Sequence, residues 1–304
     1  MKTLIVLLGP TAVGKTKLSI CLARFLNIPI FNADSRQLFR DLKIGTAAPT
    51  KEEQQEVQHF FVGTLALDEY YSAARFEEEA LQLLENHFKT HDTALLCGGS
   101  MLYIDAVCNG IDDIPSVDEI TRRNLKERLT AEGLDKLREE LRLLDPQTYS
   151  KIDQKNPRRI VHALEIYYSS GKPLSSYLKQ ETKQRPFNIL KIGLQRERAD
   201  LFERINTRVD QMISDGFIEE AKQLYSRRHL NALNTVGYKE LFHYLDGEWT
   251  LDFAIEKIKK NTRDYAKKQM TWFKRDPSIH WFHPDDKEKI LNFIHQEVVS
   301  NINR

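Results

Sequence analysis

The chain has 304 residues, 41% of them apolar and 29% charged, the balance of a soluble globular protein with one large domain or two modest ones. Its net charge of +1 favours neither a nucleic-acid partner nor its absence. The opening apolar run TLIVLL is cut at once by Gly9-Pro10, no run approaches the roughly eighteen residues of a membrane helix, and Cys21, Cys97 and Cys108 lack metal-ligand spacing; neither a signal peptide nor a membrane span is expected, the sparse, odd cysteine count suggests a reducing compartment, and a cytoplasmic protein is expected.

In chain order, Thr3–Leu8 reads as a buried parallel strand, and Lys15–Leu26 as a helix with Leu18, Leu22, Phe25 and Leu26 spaced as apolar positions. Ile28–Asn32 is a short second strand, Phe76–His87 a helix, and Thr93–Cys97 a third buried strand ended by Gly98-Gly99. This alternation predicts an α/β fold: a P-loop-NTPase-like parallel sheet flanked by helices. After Gly110 the pattern changes. A polar linker, DDIPSVDE, leads to helical stretches over 119–144, and a further helix runs from Pro157 to Ser169 and ends at Gly171. Strand character returns at Ile189–Leu194, amphipathic helices follow over 200–215, 217–228 and 251–274, and a short strand, His280–Phe282, precedes a last helix. The expected organisation is a core of residues 1–111 and 187–304, with helices at its C-terminal end, interrupted by a helical insertion over 112–186.

Four features carry chemistry. GPTAVGKT at 9–16 matches G-x-x-x-x-G-K-[ST] between a buried strand and a helix, so its backbone N–H groups converge on phosphate oxygens, Lys15 adds a point charge, and Thr16 offers a hydroxyl to magnesium. Asp34 follows the second strand, where it faces the same crevice as a general base or closes a turn or helix cap. Ser100 follows a double glycine, as a working hydroxyl or as part of a plain turn. Arg204 and Arg208 share a helix face, to clamp a diphosphate or to pair with Asp200 and Glu203. Positive charge also clusters in TRRNLKER at 121–128, PRRIVH at 157–162 and KIKKNTRDYAKKQMTWFKR at 257–275. The last interleaves Tyr265, Trp272 and Phe273 with Lys259, Arg263 and Lys267, a pattern that suits either an RNA surface or a solvated helix with its aromatics in the core.

Taken together, these stretches resemble the tRNA dimethylallyltransferase, or IPP transferase, family. The likeness covers most of the chain: GPTAVGKT, DSRQLFRDLKIGTAAPT (34–50), HFFV (59–62), Phe76, CGGSMLYIDAV (97–107), NPRRIVHALEIYYSSGKP (156–173), LFERINTRVDQMISDGFIEEAKQL (201–224), VGYKE (236–240) and TRDYAKKQMTWFKR (262–275). A phosphate loop alone is common; this combination in this order is specific.

The resemblance implies transfer of a dimethylallyl group from its diphosphate to the exocyclic amine of the adenosine 3′ of a tRNA anticodon. Asp34 would be the general base, and Asp34, Ser35, Arg36 and Gln37 would hold the flipped adenine. Gly9, Pro10, Thr11, Ala12, Val13, Gly14, Lys15 and Thr16 would hold the diphosphate with Mg2+ on Thr16, and Arg208 would contact it too. Ser100 stands where the family more often has threonine and keeps the hydroxyl. Arg122, the stretch Arg158, Arg159, Ile160, Val161 and His162, and Arg263 with Lys267 would meet the anticodon stem-loop, with His162 where the family usually has arginine. A monomer free of membrane is expected. Three other readings remain: a P-loop nucleotide or metabolite kinase, prenylation of free adenine nucleotides, and a non-catalytic RNA-binding protein. A kinase leaves the basic helical C-terminus without a role, and a free nucleotide needs no insertion.

Overall fold

A computed structural model of the chain describes residues 2–178 and 182–302. The chain divides into two compact units, Met1–Asn109 with Gln184–Arg304, and Gly110–Lys183. The first holds strands β1 (Thr3–Leu8), β2 (Ile30–Ala33), β3 (His59–Phe60), β4 (Thr93–Gly98), β5 (Asn188–Leu194) and β6 (His280–Phe282). They form one sheet in the order β3-β2-β4-β1-β5-β6, and every pair is parallel. Helices α1 (Lys15–Leu26), α2 (Lys51–Glu56), α3 (Ala73–His87) and α4 (Met101–Asn109) precede the second unit, which holds α5 (Glu119–Glu132), α6 (Leu134–Leu144), α7 (Pro146–Lys151) and α8 (Pro157–Ser170). The first unit resumes with α9 (Arg198–Ser214), α10 (Phe217–Leu224), α11 (Tyr238–Leu245), α12 (Leu251–Phe273) and α13 (Lys287–Ile302). None of the described helices is long and apolar enough to cross a membrane.

Alternation along the central strands builds a core on each side of the sheet. Leu4, Val6 and Leu8 of β1 enter one apolar cluster with Ala94 and Leu96 of β4. Ile5, Leu7, Leu95 and Cys97 enter the other. Both faces are therefore covered, as uninterrupted aliphatic strands require. Strand order sets the site. Because β4 lies between β1 and β2, the loops after all three leave the same stretch of the carboxyl edge, and Gly98 pairs with Leu8 on one side and Ala33 on the other.

Several boundaries differ from the sequence expectation. Strand β2 starts at Ile30, not Ile28, because Asn27 closes α1 in the left-handed region (φ 52) and the Ile28 amide donates back to the Ala23 carbonyl. The helical stretch over 119–144 is two helices, broken at Gly133 with φ 81, which any larger residue would resist. Helix α10 ends at Leu224 and continues only as a tight turn over Tyr225–Arg227. Helix α2, opened by a reciprocal Thr50–Glu53 capping box, and the two-residue edge strand β3 have no strong periodicity in the sequence.

The second unit has its own apolar centre, from Leu125, Leu137, Leu141, Ile160, Ala163 and Leu164. Asp145 is 2% exposed and caps α7: it accepts from the Thr148 amide (3.0 Å), the Thr148 hydroxyl (2.6 Å) and the Ser175 amide (2.9 Å).

Gly98→Ala tests the sheet edge. An added Cβ would sit 2.1 Å from the Ala33 carbonyl oxygen, so β2 and β4 must separate. The expected cost is about 3 kcal/mol, seen as a lowered midpoint in thermal or urea unfolding.

Candidate functional site

The phosphate loop is held from outside by cations. Gly9, Ala12 and Gly14 have positive φ (152, 63 and 116), which turns successive peptide units and leaves carbonyls pointing outward. Lys15 Nζ donates to the Gly9 and Pro10 carbonyls (3.0 and 2.8 Å), Arg204 Nε to Ala12 (3.0 Å) and Arg196 Nε to Val13 (2.9 Å). The first N–H groups of α1 have no intrahelical partners and open to an anion. The Val13 side chain is fully buried, so what this residue offers a ligand is its backbone. Thr16 stands exposed in the first turn of α1.

Two of these cations are poorly solvated. Burial pulls the Lys15 ammonium down to about 8 against an opposing pull from Cys97; the nearby Arg208 guanidinium adds a smaller lowering and Asp34 a smaller opposing pull. Burial also lowers Arg208, although a guanidinium keeps its charge. Arg208 Nη1 reaches the Thr11 hydroxyl at 3.4 Å. The two helix-face arginines therefore part company: Arg208 lines the cavity, whereas Arg204 is exposed and braces the loop. Neither pairs with Asp200 or Glu203; Asp200 is taken by Arg196 at 2.9 Å.

Asp34 closes a turn and lines the cavity at once. Its Oδ1 accepts from the amides of Arg36 (2.9 Å) and Gln37 (3.3 Å), an Asx-turn that leaves the carboxylate at the crevice. Ser100 is 8% exposed; its hydroxyl accepts from the Ser35 amide at 2.8 Å and donates to the Ser35 hydroxyl at 3.2 Å. Arg36 reaches the Asn231 carbonyl at 3.2 Å, and Gln37 Nε2 donates to the Thr46 and Ala47 carbonyls at 3.0 Å each. The cavity measures about 270 Å³. Its polar lining includes Thr11, Asp34, Ser35, Arg36, Ser100 and Arg208, and its apolar lining includes Ile205, Val209, Met212, Phe217, Val236 and Ile258.

Sequence reasoning passed over two residues, Glu220 and Gln269, and left a third, Tyr265, between an RNA surface and the core. Glu220 on α10 accepts from the amides of Lys43 (3.2 Å), Ile44 (2.9 Å) and Gly45 (2.9 Å) and from the Tyr238 hydroxyl (2.6 Å), and so fixes the turn that lends Gly45 and Thr46 to the cavity. Tyr265 lines the cavity, and burial followed by the nearby Asp34 charge pushes its hydroxyl well above the usual tyrosine range. Gln269 is buried between two loops of the site. Tyr265 and Gln269 lie on one face of α12 with Ile258 and Thr262, a four-three-four spacing visible in the sequence. Nothing local marks Glu220.

The basic clusters hold varied positions. In the second unit, Arg158 and Arg159 are exposed in the first turn of α8, Arg122 lies on α5, and His162 Nδ1 is 3.5 Å from Glu165. Ile160 is fully buried and Val161 packs against the same core, so of PRRIVH the side chains open to a partner are those of Arg158, Arg159 and His162. In the first unit, Arg263 and Lys267 lie over the Phe202 ring at 6.0 and 5.5 Å, with Arg263 also on Asn206 (2.5 Å) and Lys267 on Asp264 (2.9 Å). The interleaved aromatics divide three ways: Phe273 is core, Tyr265 is cavity, and Trp272 is partly exposed with its indole N–H on Asp105.

No group of three or more His, Cys, Asp or Glu side chains converges among the described residues, so the chain offers no all-protein metal cage there.

A strand–glycine loop–helix unit at the edge of a parallel sheet, with a carboxylate and a hydroxyl on the two neighbouring loops, defines an α/β protein with a P-loop-like fold. Within that class the chain belongs to the IPP transferase family, whose model matches residues 37–276. It is 58% identical to tRNA dimethylallyltransferase 1 of Bacteroides fragilis, over 98% of this chain and 99% of that one. It is 60% identical to the protein of the same name from Phocaeicola vulgatus, over 96% and 98%. Among solved structures it is similar to a tRNA isopentenylpyrophosphate transferase of Bacillus halodurans (36% identity, TM-score 0.73, 100% of this chain and 99% of that one). It is also similar to a eukaryotic dimethylallyltransferase caught acting on tRNA (30% identity, TM-score 0.74, 90% of this chain and 70% of that one).

The lowered Lys15 gives a stability signature. Folding the empty protein costs Lys15 its proton more readily than unfolding does, so the unfolded chain holds more protons between about pH 8 and the unfolded value of 10.5, and stability rises with pH there. Lys15→Met lacks that gain. In paired thermal melts without ligand, the Tm advantage of the variant over wild type should shrink as pH rises through this window; an unchanged difference would contradict the assignment.

Proposed function

We propose that this protein transfers a dimethylallyl group from dimethylallyl diphosphate to the exocyclic amine of an adenosine in tRNA, the one 3′ of the anticodon. The observation that carries the reading is one cavity in which Thr11 of the phosphate loop and the Arg208 guanidinium meet the Asp34 carboxylate beside an apolar lining suited to a branched five-carbon chain. Phosphoryl transfer from ATP gives that lining no task.

The diphosphate would lie on the loop amides, Lys15 and Arg208, and the allyl group against Val209, Met212, Phe217 and Ile258. The allylic C–O bond breaks and its electron pair leaves with the diphosphate, where preorganised N–H groups and two desolvated cations stabilise the added charge. A new C–N bond forms to the adenine amine. Asp34 takes the amine proton, held in place by the Arg36 and Gln37 amides. Ser100 orients the Asp34–Gln37 loop through the Ser35 amide. Mg2+, which binds through few protein oxygens and substrate phosphates, fits the Thr16 hydroxyl beside the diphosphate and would add neutralising charge. The adenosine must leave its stack to reach the cavity. The exposed Arg158 and Arg159, with Arg122, His162, Arg263 and Lys267, would meet the backbone of the anticodon stem-loop.

The deciding experiment is mass spectrometry of tRNA nucleosides after incubation with dimethylallyl diphosphate and Mg2+, run beside an ATP assay with candidate acceptors; phosphoryl transfer without prenyl transfer would sink the proposal. In that assay Asp34→Asn, which keeps the turn-closing oxygen but not the base, should lose roughly 10²–10⁴-fold in rate with tRNA affinity nearly intact. Arg158→Ala with Arg159→Ala should instead weaken tRNA binding and lower the slope of log affinity against log salt by about 1 to 2, with little change in the rate of bound complex.

A further inference from the structure

Gln269 sits at a junction that the transfer chemistry depends on but does not itself explain. It is 2% exposed on the inner face of α12. Its Oε1 accepts from the Thr11 amide at 2.9 Å, and its Nε2 donates to the Gly99 carbonyl at 2.8 Å. The first bond is to the phosphate loop and the second to the loop that carries Ser100. Thr11 presents its own hydroxyl to the cavity, where Arg208 meets it, and Ser100, the next residue after Gly99, holds the Ser35 amide beside Asp34. One carboxamide thus spans the donor side and the acceptor side of the site. The same helix lends Thr262 and Tyr265 to the cavity.

We propose that Gln269 is a positioning residue for the transfer: its carboxamide fixes the separation between the diphosphate loop and the adenine-binding loop, and so the approach of the amine to the allylic carbon. The inference rests on the prenyl-transfer reading. The two partners dictate the side chain. An N–H on one loop needs an acceptor and a carbonyl on the other needs a donor, and a carboxamide carries both on separate atoms at its tip without titrating. A carboxylate would set its charge against the Gly99 carbonyl, a thioether offers no comparable pair of bonds, and asparagine is one methylene shorter. Space is also fixed, since a Cβ added at Gly99 would meet Nε2 at 2.6 Å. Misplacement of reacting groups by about 1 Å costs on the order of 100-fold in rate, so small slippage between the loops is enough to register.

The test compares Gln269→Met and Gln269→Glu with wild type in steady-state transfer to tRNA from about pH 6 to about pH 8.5, with thermal melts alongside. Gln269→Met fills the space without the bonds; kcat should fall by roughly 10- to 100-fold while KM for tRNA stays within about twofold. Gln269→Glu should be impaired most at high pH, and its kcat relative to wild type should rise as pH falls. A protonated carboxyl again offers an O–H to the Gly99 carbonyl and an oxygen to the Thr11 amide, whereas the neutral methionine makes neither bond and should show no such rise; the melts separate any loss of folding from the ionised glutamate. The proposal is overturned if Gln269→Met keeps kcat within about twofold of wild type, or if the Gln269→Glu ratio is flat or falls in acid. Should the methionine variant fail to fold, the ratio for the glutamate variant decides by itself. A wild type that transfers no dimethylallyl group defeats the parent reading; an active wild type with unaffected variants defeats this inference alone.

Discussion

At the carboxyl edge of the sheet, Gly98 pairs with Leu8 in β1 and with Ala33 in β2, and the Ala33 carbonyl approaches so closely that no side chain fits. This close three-strand register ends β1, β2 and β4 at one level. The phosphate loop, the Asp34 turn and the Ser100 loop therefore start side by side, although their residues lie 20 to 90 positions apart in sequence. A one-residue slip of β4 would carry Ser100 away from the Ser35 amide and turn its buried aliphatic residues to the wrong core.

Onto this frame the protein places positive charge at a desolvation cost. The outward carbonyls of the loop are bonded to Lys15, Arg196 and Arg204, and burial leaves Lys15 and Arg208 short of solvent, with like charge close by (Arg208 beside Lys15, Arg204 beside Arg208) and Asp34 as an opposing attraction for both. Cations held this way are least satisfied when no anion is present. In the proposed transfer they would gain most from a ligand whose negative charge grows as a bond breaks, so the cost of burial would become selectivity for a departing diphosphate over a neutral ligand.

The apolar lining of the cavity comes from a different part of the chain. Helices α9, α10 and α12 supply Ile205, Val209, Met212, Phe217 and Ile258, and the same helices supply the cations, carboxylate and carboxamide that hold the loops: Arg204 and Arg208 on α9, Glu220 on α10, Gln269 on α12. One face of each helix thus packs the core and lines the cavity while single polar residues fasten it to the loops. The bonds of Gln269 and Glu220 to backbone groups make each helix dependent on the turn it touches, so movement of either would alter the other.

The sequence by itself determined the elements whose signal is local. The aliphatic runs of β1, β4 and β5, the glycine loop, the amphipathic helices and the insertion are periodic or stereochemical patterns that a short window contains, and the order of motifs marked the family. Asp34, Ser100, Lys15 and Arg208 were legible because each sits on or beside such a pattern. Only the tertiary structure decided what depends on distant partners. It separated Arg208 from Arg204 by which one faces the cavity, buried Ile160 within a basic stretch, and gave Glu220 and Gln269 their partners across 175 and 258 positions. A hydrogen bond to a backbone amide leaves no mark on the identity of the residue that owns the amide, so such contacts cannot be read along the chain; they arise when close packing fixes which backbone groups are buried and must be satisfied.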